Sequence, residues 1–312
     1  MLLSKQAITD YTSTNILESY PDWITLTQYT IGEIVRDGNF YWKAAVTILD
    51  TNTIRPSEAQ TKWAKVRPSN RYAMLDTSST TYTDNQNNTS GDPTEGIIVE
   101  FTNERYDIIA FGAVISDQIK IEFSADDFVT IDDTVIIDNA SWVTDESGAN
   151  WYDYYYGPFA VGGEMYSFFT TLIPRAGKIR ITIAPSGADA GYCQCGYMIC
   201  GNSIFAGCTL SGVDISTKDW SVREYDDFGT LHIIKRNIQQ QISLQSVHDR
   251  NYTVPLFKKV KLIRNEHILI VGDESDDSQF ENIIMLGTIE DHTTKAENSP
   301  KNFSNFKFVE SI

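Results

Sequence analysis

The side chains best suited to metal or redox chemistry are the four cysteines, which all lie in the segment GYCQCGYMICGNSIFAGCTL: Cys193, Cys195, Cys200 and Cys208. Zinc sites usually show cysteine pairs separated by two residues, or histidine partners, whereas Cys193 and Cys195 are separated by one residue. In a β-strand that spacing places both side chains on one face. We therefore expect these two to pack as small buried hydrophobic groups. All four are expected to be free thiols in a reducing compartment, with no bound metal.

Acidic residues and histidines offer the next candidates for chemistry. The cluster Glu224-Tyr225-Asp226-Asp227 lacks histidines or other ligands at metal-binding spacing, and a turn into a strand at 230–234 is the simpler explanation. No pair of carboxylates has a spacing that identifies it as an acid–base pair. The histidines are scattered along the chain: His232, His248, His267 and His292. The sequence therefore predicts no catalytic centre and no cofactor, and we expect that the protein is not an enzyme.

Aromatic and glycine residues recur regularly after Trp23, in the pattern W-x5-Y-x2-G-x2-V-x2-G-x2-Y-x2-A, which ends at Ala44. Asp37-Gly38 predicts the tip of a hairpin, because glycine readily adopts the positive φ that such turns need. The segment contains too few apolar residues for a large core. We therefore expect stacked tryptophan and tyrosine rings to supply most of its buried area.

This pattern resembles the small chitin- and cellulose-type carbohydrate-binding modules of family 5/12. The resemblance implies that sugar stacks on aromatic rings, for which the candidates are Trp42, Tyr41 and Trp23. In that family a pair of exposed aromatic residues usually follows the alanine, whereas Ala44 is followed by Ala45-Val46-Thr47. Two alternatives remain: Trp42 faces solvent as a single sugar platform, or the module kept its core and lost its site.

The segment WAKVRPSNRYAMLD, from Trp63 to Asp76, separates this module from a β-rich region. Pro68 disfavours helix at the residue before it, and the serine and asparagine that follow suit a turn. The remainder, from Arg71 to Asp76, predicts a short strand. We expect Arg71, Asn70 and Asp76 to form a structural junction, in which the guanidinium of Arg71 bridges the module and the next domain.

Composition and charge limit the classes of partner. Of the 312 residues, 41% are hydrophobic and 12% aromatic, which predicts two or three domains with real cores. The net charge of -17 disfavours direct binding to nucleic acid, because neutralising phosphates requires clustered lysine and arginine. No run of eighteen apolar residues occurs, and the first residues lack the pattern of a secretory signal, so we expect no membrane insertion and synthesis in the cytoplasm.

Short runs rich in β-branched and aromatic residues, bounded by Asp, Asn, Gly and Pro, predict a mainly β fold. Strands are expected at 7–9, 97–101, 108–111, 118–123, 134–137, 178–183, 230–234, 236–244, 268–271, 282–288 and 302–309. The segment from Val254 to Asn265 predicts the one helix, with Val254, Phe257, Val260, Leu262 and Ile263 near one stripe. The aromatic segment from Trp151 to Phe159 is expected in the sandwich core or at a protein contact.

These features predict the following domain organisation: a leader at 1–22, a small carbohydrate-binding-module-like domain with its junction at 23–76, and a polar loop at 77–95. A β-sandwich follows at 96–208, and a C-terminal β-rich assembly domain with one helix occupies 209–312. The sandwich assignment rests on the regular spacing of the short strands between turn residues.

Taken in order, the motifs resemble a family of tailed-bacteriophage and prophage tail proteins from about Ile8 onward. Three blocks carry the resemblance: Pro68, Asn70, Arg71, Tyr72, Ala73, Met74, Leu75 and Asp76; Cys195-Gly196 to Gly201; and Asp226, Asp227, Phe228, Gly229 and Arg236. A terminal block from Val254 to Gly287 adds to it. The chain departs from the family by the missing sugar-stacking pair, a polar insert after Asp76 and an acidic loop at Asp273–Asp277.

The resemblance implies a structural component of a phage tail: a tail, baseplate, collar or appendage subunit located in the virion. It implies a middle region similar to a galactose-binding-type jelly roll, and partners that are other tail proteins and copies of the same chain. The alternative is a receptor-binding module that recognises host cell-surface glycan. A glycan depolymerase is the third class considered, and the absence of an identifiable carboxylate pair disfavours it.

Overall fold

The structure, a computed structural model, describes residues 1–49, 53–78, 80–86, 95–138, 165–172, 174–185, 191–210, 213–225, 231–236, 238–272, 284–295 and 299–311. Within these residues the protein is mainly β, with antiparallel sheets and one α-helix near the C-terminus, α1 (Thr253–Ile263). The fold class predicted from the sequence is therefore confirmed.

The strands in the first half of the chain are β1 (Leu2–Lys5), β2 (Ser13–Thr14), β3 (Ile34–Asp37), β4 (Phe40–Ala44), β5 (Trp63–Pro68), β6 (Thr83–Asp84), β7 (Ile97–Glu104), β8 (Ile108–Ile115), β9 (Gln118–Ser124) and β10 (Asp133–Asp138). Those in the second half are β11 (Met165–Thr171), β12 (Ala176–Ile183), β13 (Gln194–Gly201), β14 (Ser203–Phe205), β15 (Cys208–Thr209), β16 (Asp214–Asp219), β17 (Val222–Tyr225), β18 (Leu231–Ile234), β19 (Ile238–Asp249), β20 (Ile268–Val271), β21 (Ile284–Lys295) and β22 (Lys301–Glu310).

Residues 23–49 and 53–68 form the aromatic module, which contains a three-stranded sheet in the order β3-β4-β5. Its first two strands form the predicted hairpin, in which Gly38 has a φ of 63°. At this φ a Cβ atom is strained, so glycine suits the turn. The core of the module consists mainly of rings, as predicted: Tyr29, Trp42 and Trp63 are buried, and Trp23 and Phe40 pack against them.

Two sheets form the central sandwich. The outer sheet has the order β10-β9-β12-β7-β2, and the middle sheet has the order β11-β8-β13-β6. Side chains alternate in the outer sheet, where Glu100, Arg180 and Glu122 form a charged row directly across three strands on the solvent side. The other face of this sheet packs on the middle sheet through isoleucine, valine and phenylalanine side chains. One covered face and one polar face are typical of an antiparallel sheet.

The large sheet has the order β14-β1-β20-β21-β22-β19-β15, and β16 also pairs with β19. Strands β1, β20 and β21 of this sheet pack one face on the middle sheet, through Leu2, Leu269, Val271 and Leu286. Its opposite face packs on α1. The molecule outside the aromatic module is therefore a body of four layers: outer sheet, middle sheet, large sheet and helix.

The middle sheet is covered on both faces, and its sequence reflects this position. Strand β8 (IIAFGAVI) is buried at most positions instead of alternating, because its side chains face the outer sheet on one side and the large sheet on the other. Gly112 lies opposite Tyr197 in register, and a Cβ atom at position 112 would come within 2.1 Å of the Tyr197 ring. Glycine at this position therefore lets the tyrosine lie across the strand.

Several predicted boundaries are wrong. The expected leader does not stand apart, because β1 lies between β14 and β20 in the large sheet, and β2 pairs with β7 of the sandwich. No strand forms at 7–9. The expected break at 209 cuts through the large sheet, which already includes β14 and β15. These pairings join residues far apart in the chain, so local periodicity could not reveal them.

Two shorter predictions are also wrong. The tract at 77–95 is not entirely an exposed loop, because β6 pairs with β13 and the side chain of Thr83 is fully buried. The segment after Arg71 forms a 3-10 turn at Ala73–Leu75 instead of a strand. The amides of Tyr72 and Ala73 both donate to the carbonyl of Ser69, and these hydrogen bonds begin the turn.

The helix was placed correctly, but its buried face was not. The residues that pack on the large sheet are Thr253, Leu256, Val260 and Ile263, whereas Val254, Phe257 and Leu262 are at least half exposed. Both faces of α1 carry apolar side chains, so periodicity alone did not determine which face is buried. The predictions for Trp151 to Phe159, for Asp226–Gly229 and for the acidic loop at Asp273–Asp277 lie outside the described residues.

Candidate functional site

Of the three residues predicted to bind carbohydrate, two are buried and the third is partly covered. Trp42 is 5% exposed, Tyr41 is fully buried and Trp23 packs partly buried against the module's core. Of the two alternatives for this module, the one in which Trp42 faces solvent as a sugar platform is therefore wrong. The module's own core covers one face of β4, which holds Trp42, and residues 18–20 cover the other face, which holds Tyr41.

Tyr41 instead belongs to a polar joint between the module and the body. Its hydroxyl donates to Glu18 Oε2 at 2.5 Å and accepts from the backbone amides of Ser19 at 2.9 Å and Asn70 at 3.2 Å. Burial, and then the hydrogen bond to Glu18, raise the pKa of Tyr41. The tyrosine therefore remains protonated and acts as a donor to the carboxylate.

Glu18 is the acceptor around which this joint is built. One carboxylate oxygen accepts from Tyr41 and from the amide of Asn70 at 3.0 Å, and the other accepts from Arg36 Nη1 at 3.0 Å. Arg36 also pairs with Asp22 at 2.5 Å. Charge-assisted bonds of this kind are stronger than neutral ones. Sequence reasoning missed Glu18, because a single carboxylate in the run LESYPD carries no recognisable pattern.

Asn70 connects the joint to the sandwich. Its Nδ2 donates to the carbonyls of Leu17 at 3.3 Å and Asp84 at 3.1 Å, and its Oδ1 accepts from the amide of Asp84 at 3.0 Å. The hydroxyl of Thr83 donates to the carbonyl of Asn70 at 2.6 Å. Because Thr83 and Asp84 form β6 of the middle sheet, the Asn70 side chain ties the module to the body.

The structure places Arg71 and Asp76 beside this joint. Arg71 Nη2 donates to the carbonyl of Tyr11 at 3.2 Å and lies 3.4 Å from Asp10 Oδ1. It thus holds the segment before β2, and the bridge expected of Arg71 is made by Asn70. Asp76 accepts from the amide of Ser78 at 2.9 Å and the hydroxyl of Thr81 at 2.7 Å. Burial raises its pKa, and also that of Asp84.

The cysteines form no disulfide, as predicted. Cys193 and Cys195 share one face in the sandwich core, and Cys200 is buried there as well, whereas Cys208 is exposed. Burial raises the pKa of Cys193 to about 12 and raises the pKa of Cys195 and Cys200 further. Thiols with such pKa values are poor nucleophiles and poor metal ligands at neutral pH.

A concave polar face lies on the large sheet, on the part of it formed by β16, β19, β22 and β21. It encloses a space of about 340 Å³ that is open to solvent. Asp214, Ser243, Lys307 and Asp291 lie side by side across these four strands, and Gln245, Asn305 and Thr293 form the neighbouring row. Amides, hydroxyls and carboxylates in this arrangement offer hydrogen bonds to a hydroxylated ligand. This concave polar face was not predicted from the sequence.

A second exposed feature is the ribbon, which comprises β16, β17, β18 and the beginning of β19. Strands β17 and β18 pair with each other and with no third strand among the described residues. Five large apolar side chains along the ribbon are between 47% and 59% exposed: Ile215, Trp220, Ile233, Ile234 and Ile238. Trp220 is held in place by a bond from its Nε1 to Gln239 Oε1 at 2.6 Å and by Lys218 over its ring at 4.1 Å.

Among the described residues, no group of three or more histidine, cysteine, aspartate or glutamate side chains is placed to hold a metal ion. No helix that the structure describes is long and apolar enough to span a membrane. The chain matches no model of a protein family, and a search of curated proteins found no match either.

Proposed function

We propose that the protein is a structural component of a bacteriophage tail, a tail, baseplate, collar or appendage subunit that acts through protein–protein assembly. The order of the sequence motifs supports this proposal, as does a body of stacked sheets joined to a small module by a buried polar joint. Such a body presents its surfaces in fixed relative positions, which repeated subunit contacts require.

The ribbon carries the proposal. The ribbon exposes one tryptophan and four isoleucines, on β16, β18, β19 and the residue after β16. Exposed large apolar side chains concentrated in one part of a surface indicate a contact site more strongly than single ones do. Tryptophan is also enriched among the residues that dominate binding energy at protein interfaces. Because Trp220 is already oriented by Gln239 and Lys218, it loses little side-chain freedom on binding a neighbouring tail protein.

The test is assembly of particles that carry variants of the ribbon. We expect the double variant Trp220→Ser/Ile233→Ser to be soluble and folded but absent from purified tails, and deletion of the gene to abolish intact tails in electron micrographs. Ile31→Ser is a matched control, because Ile31 is 68% exposed on the aromatic module. Intact tails that only fail to adsorb would contradict the proposal and favour receptor binding.

The second candidate function is recognition of host glycan, and the concave polar face favours it over the predicted tryptophan platform. Gln245 and Asn305 lie opposite each other on this face, and both are exposed. Their amides suit the paired hydroxyls of a sugar. If this function holds, Gln245→Ala/Asn305→Ala removes binding on a glycan array and Trp42→Phe does not. A wild-type protein that binds no glycan on the array would exclude it.

A further inference from the structure

The outward face of α1 is a largely exposed apolar surface, although the ring of Phe257 lies 5.9 Å from the ring of His292. At 100° per residue, Val254, Phe257 and Leu262 fall within one half of the helix circumference, opposite the buried Leu256 and Val260. The three are 62%, 50% and 79% exposed. Large apolar side chains grouped on one helix face indicate a contact surface.

This face also carries positive charge, although the protein as a whole is acidic. Lys258 and Lys261 lie between the three apolar residues on the same side of the helix, and both are exposed. From Arg250 to Asn265 the chain contains five basic residues and no acidic one, although its net charge is -17. A partner for this face must therefore combine apolar side chains with negative charge.

The turn between β9 and β10, residues 125–132, has this composition. Val129 is 82% exposed and Ile131 49% exposed, and four aspartates flank them: Asp126, Asp127, Asp132 and Asp133. No basic residue occurs between Ala125 and Asp138. Lys178 pairs with Asp127, and Arg175 pairs with Asp133. The net charge of the turn remains negative, because Asp126 and Asp132 are exposed and have no cation partner among the described residues.

The turn is held in one conformation and so presents these side chains in fixed positions. Asp126 accepts from the amide of Thr130 at 2.9 Å and from its hydroxyl at 2.6 Å. The amide of Ala125 donates to Asp132 Oδ2 at 2.8 Å. Phe128 has a φ of 63°, and its ring lies against Arg180 at 4.0 Å. A preorganised turn loses little entropy when it binds.

The two surfaces lie on opposite sides of the body, because the turn belongs to the outer sheet and α1 is the fourth layer. Within one chain they are separated by the middle and large sheets. A contact between them therefore joins two copies head to tail. Contacts of this type repeat from copy to copy and generate a closed ring or an open filament.

We propose that the basic apolar face of α1 in one copy binds the acidic apolar turn at 125–132 of a second copy. This inference rests on the proposed assembly role, for which it names one partner as the same chain. Apolar contact among Leu262, Phe257 and Val129 supplies the binding free energy, and the lysine–aspartate pairs set the orientation.

The experiment is a charge exchange followed by light scattering on purified protein. The helix variant is Lys258→Glu/Lys261→Glu, and the turn variant is Asp127→Lys/Asp132→Lys. Each variant alone is expected to be monomeric, because its two surfaces then carry the same sign of charge. An equal mixture is expected to associate again, because each copy meets a surface of opposite charge. Lys43→Glu/Lys62→Glu, the same charge change on the aromatic module, is expected to associate as the wild type does.

Two further measurements keep the result decisive. The neutral variants Leu262→Ser and Val129→Ser should each weaken association, and association of the wild type should weaken as rising salt shortens the screening length from about 10 Å to about 3 Å. A wild-type protein that stays monomeric at its highest soluble concentration would overturn the proposal. So would association of the turn variant alone, which would indicate a contact between two helices.

The experiments distinguish a protein that does not associate with itself from a protein that is not a tail component. The ribbon variant Trp220→Ser/Ile233→Ser leaves the helix and the turn unchanged, so its absence from tails reports on other tail proteins. A protein that is monomeric in solution and still incorporates into tails through its ribbon would refute the self-association and retain the assembly role.

Discussion

The aromatic module and the layered body are stabilised in different ways. The module buries a small set of residues around three aromatic rings, and it meets the body through hydrogen bonds around Glu18 and Asn70. The body buries three successive apolar interfaces between its sheets and the helix. The module therefore depends on a few polar contacts, and losing one of them should destabilise the structure locally. The body depends on buried apolar area, and losing part of it should destabilise the whole protein.

The largest effect is expected from a cavity in the body. Phe111→Ala removes a fully buried ring from the sandwich core, which should lower the free energy of unfolding by about 3–5 kcal/mol. Urea denaturation followed by circular dichroism measures it. Val114→Ala, at a smaller side chain buried in the same core, should cost less. A loss under about 1 kcal/mol for Phe111→Ala would contradict the layered core.

The next effect concerns the connection between the two regions. Asn70→Ala removes the side-chain bonds to Leu17 and Asp84 and leaves buried backbone groups unpaired, which should cost about 2–4 kcal/mol. We expect calorimetry to show two unfolding transitions in place of one, because the module then unfolds independently. Asn251→Ala, at an exposed asparagine beside α1, is the control and should leave the transition unchanged. A single transition at a lower temperature would mean that the module is coupled by other contacts.

A smaller loss is expected within the joint itself. Tyr41→Phe removes the hydroxyl that serves Glu18, Ser19 and Asn70, at a cost of about 1–2 kcal/mol. A double-mutant cycle with Glu18→Gln should give a non-zero coupling energy, since the two side chains share one bond. Additive single losses would show that the Tyr41–Glu18 contact contributes nothing of its own.

Acid should weaken the body before it weakens the module. Burial is the main cause that lowers the pKa of His248 and His292, which lie beside the interface of the large sheet with α1. Their folded-state pKa is below the unfolded value near 6.5, so the unfolded chain binds more protons in that window. Stability should therefore fall as the pH decreases below about 6.5. Denaturation at a series of pH values tests this, and His248→Gln should reduce the slope.

Two carboxylates in and beside the joint act with the opposite sign at lower pH. The raised pKa values of Asp76 and Asp84 mean that the folded state binds protons more readily than the unfolded chain. Their contribution is fully present below the ordinary aspartate pKa and is lost as the pH rises through the folded value. The effect of the histidines is therefore measured at pH values above those at which these carboxylates titrate. Stability that rises as the pH falls below about 6.5 would contradict the prediction.

The smallest effect is expected at Arg71. Its contacts to Tyr11 and Asp10 are long and partly exposed, so Arg71→Lys should cost less than about 1 kcal/mol. Thermal unfolding measures the change. A loss of stability comparable with that of Asn70→Ala would instead support the bridge that the sequence predicted at Arg71.

The sequence predicts what depends on neighbouring residues. The strands at 108–111 and 268–271, the hairpin at Gly38 and the helix after Tyr252 all have local signals, and the structure has them. What the sequence does not predict depends on distant residues. The second face of the middle sheet is covered by the side chains of residues 2, 269, 271 and 286. No local periodicity in the sequence indicates this contact.

The candidate site was harder to predict for the same reason. Alternation along β4 assigns Tyr41 and Trp42 to opposite faces, and the structure agrees, but only the path of residues 17–20 shows that neither face is open. Asn70 was identified from its place in a turn, and its bonds to Asp84 follow from tertiary packing. Glu18 had no signal at all.

The position of β1 has a consequence for how the chain comes to be folded. Leu2 lies opposite both Phe205 and Val271, so β1 is synthesised well before the two strands with which it pairs. At about 10 residues per second, the partner at 271 emerges on the order of half a minute after β1. The large sheet therefore forms only late in synthesis, by closing long loops, which is intrinsically slow. Until then the apolar side chains and the unpaired edges of β1 are exposed. We expect the nascent chain to depend on chaperones during this interval.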